Sequence, residues 1–188
     1  MKISILNPSF GANFVRVARW AAKSRGRVQR HPEYLLTAAQ ILIDEGHDVQ
    51  FVEAAAQNLT PEGSFKIVEN FHPQLLVIHA TTPSIYSDIE QAKILKERVG
   101  CKVAFVGQHV TAEPDDTFDI AQGAVDYILH REYDYTLRDL ANGIDPSKIL
   151  GLSWHDGERT VHNPDRPSLD VNELPFPAWH LIKPQWYP

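Results

Sequence analysis

The stretch LLVIHATTPSIYSDIEQAKILKERVGCKVAFVG, residues 75–107, decides the fold. Its two ends, LLVIHA (75–80) and KVAFVG (102–107), are almost continuously apolar, which is typical of strands buried on both faces of a parallel sheet. The segment between them has the period of a helix and stops at Gly100. One stripe of that helix is apolar and comprises Ile85, Ile89, Ala92 and Leu95. The stretch therefore predicts a strand, a crossover helix and a second parallel strand.

The same alternation continues on both sides of this stretch. Three further apolar runs have the composition of strands, namely KISIL (2–6), DVQFVEA (48–54) and VDYILH (125–130). Four further segments are predicted helices, namely PEYLLTAAQILIDEG (32–46), EGSFKIVENF (62–71), PDDTFDIAQ (114–122) and YTLRDLANG (135–143). This alternation predicts a doubly wound α/β domain over residues 1–143. Because five strands is the count of the flavodoxin-like, Rossmann-like fold, we expect a parallel sheet in the order 2-1-3-4-5.

The C-terminal part has a different pattern. ILGLSWHDGERTVHN (149–163) predicts two strands around Asp156-Gly157, a hairpin within residues 144–163 that extends the sheet edge or packs beside it. Residues 164–188 contain six prolines, which predict an extended linker toward a further domain. An apolar docking face is expected in that linker, and it could also drive formation of a homodimer. Its candidate members are Phe176, Trp179 and Trp186.

Charge and cysteine content restrict the possible functions. The single cysteine, Cys101, cannot form an internal disulfide, which fits a reducing, cytoplasmic setting. It is the first residue of the apolar run CKVAFV, where we expect a buried strand. The net charge is −6, although residues 1–32 contain seven Lys or Arg and no Asp or Glu. The remainder is therefore strongly acidic, which disfavours general nucleic-acid binding. The apolar run at the start of the sequence stops at Asn7-Pro8 and is too short for a membrane span or a signal peptide.

A cluster of basic residues lies between the first predicted strand and the first long helix. Its members are Arg16, Arg19, Lys23, Arg25, Arg27 and Arg30. Two interpretations are open. The segment is either a solvated, mobile insert or a clamp for an anionic ligand or an acidic partner surface.

Ligands of open parallel sheets bind outside the carboxyl ends of the strands, where the strand order reverses. This rule selects loops whose residues are the candidate cofactor-binding set: Asn7, Pro8, Ser9, Glu53, Thr81, Thr82, Pro83, Ser84, Gly107, Gln108, His109, Arg131 and Glu132. One hydroxyl of the Thr81–Ser84 loop is expected to cap the following helix. Gly107 either ends its strand or admits a ligand against the main chain. His109 is open to interpretation as a loop histidine, a metal ligand or an acid–base group.

Several common motifs are missing from the sequence. It contains no G-x-G-x-x-G after the first strand, no G-x-x-x-x-G-K-[ST] and no G-x-S-x-G. Its nine histidines are scattered without the spacing of a zinc site. These observations favour a binding domain, with no catalytic residue and no metal ligand assigned.

Taken in order, several segments resemble the N-terminal cobalamin-binding domain of radical S-adenosylmethionine enzymes. They are ISILNPS, LLTAAQILIDEGHDVQFVEA, ATTPSIYSDIEQAKILKE, FVGQHVTAEPD, VDYILHREYDYTLRDL and GLSWHDGERTVHNPDRPSLDVNELPFPAW, which together cover nearly the whole chain. In that family the Pro-rich segment leads into a domain whose C-x-x-x-C-x-x-C motif holds a [4Fe-4S] cluster for cleavage of S-adenosylmethionine. The resemblance implies that this chain binds a corrinoid and that its partner is a radical S-adenosylmethionine domain outside these residues. With Cys101 as its one cysteine, the chain alone is not expected to be catalytic.

Departures from family patterns refine this expectation. The D-x-H-x-x-G motif of other cobalamin domains reads NPSFGANF here, so we expect cobalamin to bind base-off without a protein histidine on cobalt. Val106 and Gln108 alter the family's G-G-P-H-A-T stretch, and Arg131 and Tyr133 replace two glycines of G-E-G-E-Y-T, which would narrow the pocket. With ATTPSIYSD, these changes resemble the branch that performs methyl transfer or other radical chemistry on large apolar substrates such as hopanoids or tetrapyrroles.

Two alternatives remain beside the cobalamin-binding hypothesis. The first is a domain that keeps the fold without the cofactor and acts as a docking or substrate-recognition module, which Arg131 and Tyr133 favour. The second is a flavodoxin-like binder of a flavin or nucleotide, with the loop from Thr81 to Ser84 around the phosphate.

Overall fold

The computed structural model describes residues 1–17, 20–23 and 30–187. Its strands are β1 (Lys2–Asn7), β2 (Phe14–Val17), β3 (Trp20–Lys23), β4 (Asp48–Glu53), β5 (Leu75–His79), β6 (Lys102–Val106), β7 (Tyr127–Leu129), β8 (Leu152–His155) and β9 (Thr160–His162). Its α-helices are α1 (Glu33–Asp44), α2 (Pro61–Phe71), α3 (Ile85–Val99), α4 (Gln108–Ala112), α5 (Pro114–Ala121) and α6 (Asp134–Ala141). The five predicted strands and the five predicted helices are present, and α4 is an addition.

One sheet organises the chain, with its strands in the order β4-β1-β5-β6-β7-β8-β9. The first five are parallel neighbours, which confirms the order 2-1-3-4-5 for the five predicted strands. The predicted hairpin is β8 and β9, and it extends the sheet edge, because β8 pairs antiparallel with β7. Its turn contains Gly157 at φ +105, a conformation that favours glycine.

Side chains of the parallel strands alternate between two cores. On β5, Leu76 and Ile78 pack with α2, α3 and α5, whereas Leu75 and Val77 pack with α1 and α6 on the opposite face. All four are at most 2% exposed. Burial on both faces explains why these strands are apolar throughout. The predicted helix stop at Gly100 is confirmed by its left-handed φ of +73, whereas the predicted strand position of Cys101 is one residue early, since β6 begins after this buried residue.

The basic segment is the main departure from expectation. Phe14–Val17 and Trp20–Lys23 pair as an antiparallel hairpin, and Arg16 is 1% exposed, so the solvated interpretation is wrong for this residue. Lys23, at the end of β3, is exposed. The predictions for Arg19, Arg25 and Arg27 fall outside the described residues.

The Pro-rich extension has only short 3-10 turns, but it folds back on the domain. Ala178 is fully buried and donates its backbone N–H to the Leu36 carbonyl at 3.0 Å. Phe176 is 90% exposed and Trp179 is 45% exposed, whereas Trp186 is half-buried. Part of the expected apolar face is therefore open. Within the described ranges, no helix is long and apolar enough to cross a membrane.

Candidate functional site

The strand order reverses between β1 and β5, and the crevice at their carboxyl ends is filled by Arg16. Its Nη1 and Nη2 donate to the two carboxylate oxygens of Asp88 at 2.9 and 2.8 Å. Nη2 also donates to the carbonyl oxygen of His79, the last residue of β5, at 2.6 Å. Both charged side chains are completely buried. The β2–β3 hairpin thus carries a bidentate ion pair into the place where the fold ordinarily receives a ligand.

The hydroxyls of the loop after β5 belong to the same polar network. Ser84 Oγ donates to Asp88 Oδ2 at 2.7 Å, Thr81 Oγ1 lies 2.7 Å from Ser84 Oγ, and the Thr81 N–H donates to Asp88 Oδ2. Thr81 and Ser84 occupy the N-cap positions of the 3-10 turn at residues 82–84 and of α3, as predicted, but neither side chain makes the capping bond. A carboxylate in Asp88's position holds the hydroxyls that a phosphate would need, which disfavours the nucleotide interpretation of this loop.

Asn7 and Glu53, at the ends of β1 and β4, form a second buried cluster. Asn7 Nδ2 donates to both carboxylate oxygens of Glu53 at 2.9 and 3.1 Å, and the Ala56 N–H adds a third bond. Asn7 Oδ1 lies 3.2 Å from His79 Nδ1. Burial raises the pKa of Glu53 to about 7 and lowers the pKa of His79 to about 3. His79 is therefore neutral, and because Asn7 Oδ1 only accepts, the proton of the ring lies on Nδ1.

A cavity of about 500 Å³ opens beside these clusters, over the carboxyl ends of β5, β6 and β7. Its size is within the range of about 300–1,000 Å³ that is usual for small-molecule sites. The lining comes from α1, the strand ends, α4, the loop after β7 and the extension: Tyr34, His79, Gly107, Gln108, Thr111, Ala112, His130, Arg131, Glu132, Tyr133, Asp134, Asp165, Arg166 and Ser168.

Four of the predicted site residues line the cavity, namely Gly107, Gln108, Arg131 and Glu132. The others lie elsewhere. Asn7, Pro8, Ser9, Glu53, Thr81 and Ser84 are buried, Thr82 and Pro83 are exposed, and His109 is half-buried with Nδ1 3.2 Å from Thr82 Oγ1. The cavity contains two histidines that the sequence did not select, although His79 is the second-last residue of one predicted strand and His130 is the last residue of another. Their location at the carboxyl ends of predicted strands was the sequence signal that could have identified them.

Polar contacts tie the extension to the loop after β7. Arg131 Nη2 lies 2.9 Å from Asp165 Oδ2, and Glu132 Oε2 accepts a bond from the Leu169 N–H at 3.0 Å. Arg166 donates to Thr136 Oγ1 at 3.1 Å and to the carboxylate of Asp139. Extension residues therefore form one wall of the cavity. No pattern in a Pro-rich connector indicated this contact.

Two bulky residues replace glycines of the resembled family in this loop, and they differ in position. Arg131 is exposed and has φ +52, a conformation that glycine adopts without strain. Tyr133 is 7% exposed and packs in the core with Leu137. Asp134 follows it at the start of α6, and burial raises the pKa of this cavity-lining carboxyl to about 6. Arg131 is thus the residue whose removal would widen the cavity without emptying the core.

Gly107 is required by packing, whatever the cavity binds. Its φ is +128, and a Cβ would lie 2.3 Å from the Ala80 carbonyl oxygen and 3.2 Å from His79 Cδ2. The ends of β5 and β6 approach each other too closely for a side chain. The structural interpretation of Gly107 therefore holds, and its position in the cavity wall keeps the ligand interpretation open.

Gly107→Ala should lower the free energy of unfolding by about 2 kcal/mol, since strain at a glycine-only conformation costs about 1–3 kcal/mol and the clash adds to it. Chemical denaturation measures the loss. Gly123→Ala is the matched control, because Gly123 also has positive φ but its Cβ would meet nothing within 4 Å. Equal losses in the two variants would refute the role of the close backbone approach.

Metal-binding side chains do not cluster in the part of the chain that the structure describes, where no group of three His, Cys, Asp or Glu could hold an ion. Burial raises the pKa of the Cys101 thiol to about 11, which makes a reactive thiolate unfavourable.

Comparison with known proteins gives a relative in sequence and likenesses in fold. No protein-family model matches the chain. It is 30% identical over 147 residues to the uncharacterized methyltransferase PH0819 of Pyrococcus horikoshii, a match that covers 75% of this chain and 32% of that protein. The chain thus spans about a third of this relative.

Solved structures give a similar result. The cobalamin-dependent S-adenosylmethionine radical enzyme OxsB, with aqua-cobalamin and S-adenosylmethionine bound, superposes with a TM-score of 0.76 at 14% identity over 94% of this chain and 24% of OxsB. The radical S-adenosylmethionine methyltransferase TsrM of Kitasatospora setae, with cobalamin and a [4Fe-4S] cluster bound, gives 0.69 at 15% identity over 93% of this chain and 31% of TsrM. The shared feature is the fold. The α/β architecture predicted from the sequence is confirmed by these likenesses.

Proposed function

We propose that this chain is the N-terminal cobalamin-binding domain of a radical S-adenosylmethionine enzyme. The observation that carries the proposal is a cavity, lined mainly by residues with polar side chains, at the carboxyl ends of β5, β6 and β7, in a fold shared with two enzymes whose structures contain cobalamin. The methyltransferase relative supports methyl transfer as the reaction. The partner domain would hold the [4Fe-4S] cluster and S-adenosylmethionine, because Cys101 alone cannot ligate a cluster. A large apolar substrate and a cytoplasmic location are parts of the same proposal.

The chemistry of the cavity fits part of a corrinoid. A corrin ring carries peripheral amides, and the cavity offers both donors and acceptors for them in Gln108 and Ser168. The absence of a side chain at Gly107 lets the main chain form one wall. When bound, the corrinoid would supply a cobalt centre able to carry a methyl group or an electron. The chain would orient the ring and keep water from one of its faces.

Cobalt ligation by the protein is not part of the proposal. The loop after β1 contains no histidine, and Asn7 is turned inward to Glu53 and His79. We propose base-off binding, in which Gln108, Arg131 and Glu132, three of the residues selected from the sequence, contact the corrinoid. The buried residues Asn7, Glu53, Thr81 and Ser84 would support these loops from below.

One observation favours the alternative of a docking module without cofactor. Arg16 and Asp88 fill the crevice at the reversal of strand order, where a ligand's tail would otherwise enter. Exposed Phe176 and Trp179 offer a surface for a partner. The homodimer remains a prediction.

The test is titration of the 188-residue protein with hydroxocobalamin, followed by gel filtration and a visible spectrum of the protein peak. We expect about one corrinoid per chain, with a spectrum that lacks nitrogen ligation from below. Gln108→Trp should reduce binding by filling the cavity, whereas Glu90→Trp, on an exposed position of α3, should not.

A colourless protein peak at cobalamin well above micromolar would reject the cofactor proposal and favour the docking module. Arg131→Gly would then show whether the bulk of that side chain is what prevents binding. Tyr133→Gly is unsuitable for this purpose, because it would also remove a core side chain.

A further inference from the structure

A chain of hydrogen-bonded side chains runs from the cavity to the protein surface along the edge of the sheet. His130 lines the cavity, and its Nε2 lies 2.5 Å from Ser153 Oγ. Ser153 Oγ lies 2.6 Å from His162 Nδ1, and His162 Nε2 lies 3.0 Å from Asp115 Oδ1. Three consecutive short contacts therefore join four groups that exchange or stabilise protons.

The environment of the chain changes from one end to the other. Ser153 is fully buried and His130 is half-buried, whereas the side chains of His162 and Asp115 are 42% and 73% exposed. Solvent can thus exchange protons with the outer pair but reaches the cavity end only partly. A fully buried hydroxyl held between two imidazoles can donate to either of them and accept from the other.

The fold holds these groups in place through the terminal hairpin. Ser153 on β8 is the register partner of His162 on β9, and Ile128 on β7 is the register partner of Ser153. His130 follows β7 by one residue, so its ring reaches the Ser153 hydroxyl diagonally. Asp115 comes from the first turn of α5. The hairpin that sequence analysis treated as an appendage therefore completes this arrangement.

We propose that His130, Ser153, His162 and Asp115 form a proton relay that connects the cavity to solvent, with His130 as the acid–base group on the cavity side. Protonated His162, paired with Asp115, passes its Nδ1 proton to Ser153 Oγ while Ser153 passes its hydroxyl proton to His130 Nε2. The positive charge moves from His162 to His130, and the serine ends neutral. His130 then gives its Nδ1 proton to a group in the cavity, and the reverse sequence removes one.

Charged groups around the relay are suited to this transfer. At the inner end, burial lowers the pKa of His130, and His162 and Arg131 add to that shift, whereas Asp165 and a hydrogen bond to the Thr111 backbone oppose it. A protonated His130 is consequently a stronger acid than free imidazole, so it returns the proton readily. At the outer end, the Asp115 carboxylate lies 3.0 Å from His162 Nε2 and is open to solvent. The relay would operate whichever ligand the cavity binds, and it is independent of the proposed cofactor.

Histidine ring nitrogens observed by 15N nuclear magnetic resonance over a pH titration test the relay in the ligand-free 188-residue protein. In a connected pair, the ring shifts of each histidine should show a second inflection at the pKa of the other. Ser153→Ala should abolish the second inflection and slow exchange of the His130 ring proton with water by roughly tenfold or more. Asp115→Asn should slow the same exchange, because it removes the carboxylate at the outer end of the relay.

Two matched controls separate these effects from general perturbation. Ser4→Ala removes another fully buried serine of the same sheet, whose hydroxyl donates to Gln50 at 3.0 Å, and should leave both histidine titrations unchanged. Asp116→Asn alters the neighbouring exposed carboxylate and should do the same. Independent single inflections in the unmodified protein, or unchanged His130 exchange in Ser153→Ala, would overturn the relay. Should Ser153→Ala fail to fold, the surface variant Asp115→Asn and the inflections of the unmodified protein still decide the question.

Discussion

Replacing Arg16 by alanine should lower the free energy of unfolding by about 3–5 kcal/mol, the usual loss when one partner of a buried ion pair is removed. The reason is that Asp88 would remain charged, fully buried and without its bidentate partner. The His79 carbonyl would also lose its 2.6 Å bond. Urea denaturation at neutral pH, monitored by circular dichroism, measures the change.

Two comparisons give this prediction its specificity. Arg98→Ala removes exposed ion pairs with Glu62 and Glu69 and should cost far less than Arg16→Ala, because water screens exposed charges. The double substitution Arg16→Met with Asp88→Leu should recover most of the stability, since no buried charge is left alone. A loss in Arg16→Ala as small as that of Arg98→Ala would contradict the buried pair.

Stability should depend on pH through Glu53 and His79 in opposite directions. The pKa of Glu53 is about 7 in the folded protein against 4.5 as its ordinary value, so the unfolded chain releases this proton first as pH rises. Stability therefore falls by about 3 kcal/mol between pH 4.5 and 7 from this group. The pKa of His79 is about 3 against 6.5, so the unfolded chain takes up a proton first as pH falls. That group removes about 5 kcal/mol between pH 6.5 and 3.

Glu53→Gln isolates the first effect. The free energy of unfolding of this variant relative to the unmodified protein should rise by about 3 kcal/mol from pH 4 to pH 8, on top of any constant offset from altered hydrogen bonds. His79→Asn is the counterpart, and its relative stability should rise as pH falls from 6.5. Chemical denaturation at several pH values gives the stability of each variant relative to the unmodified protein. If that relative stability does not change with pH, the substituted group is not held in its neutral form in the folded protein.

The sequence predicted the sheet well because burial on both faces dictates composition. LLVIHA and KVAFVG have no polar alternation, and that pattern belongs to central parallel strands. Glycine at position 100 likewise marks a helix end through backbone geometry alone. These features are local, so single segments reveal them.

The site was predicted less completely, because its decisive contacts join distant segments. An arginine in a short segment ordinarily indicates a solvated face, and burial of Arg16 depends on two distant partners, the Asp88 carboxylate and the His79 carbonyl. Thr81 and Ser84 were expected to face a helix terminus or a ligand, yet the same carboxylate orients them inward. Asp165 and Ser168 reach the cavity through docking of the extension, for which proline content gives no signal.

The extension that leaves the sheet after β9 also forms a wall of the cavity, through Asp165, Arg166 and Ser168. Further along, Ala178 is anchored on α1. Ligand binding in the cavity and attachment of the extension to the domain are therefore linked by a coupling free energy. Whatever ligand strengthens the contacts of Arg131 and Glu132 with the extension must, by reciprocity, be bound more tightly when the extension is held in place. A force that detaches the extension from the domain would therefore weaken ligand binding and favour release of the ligand.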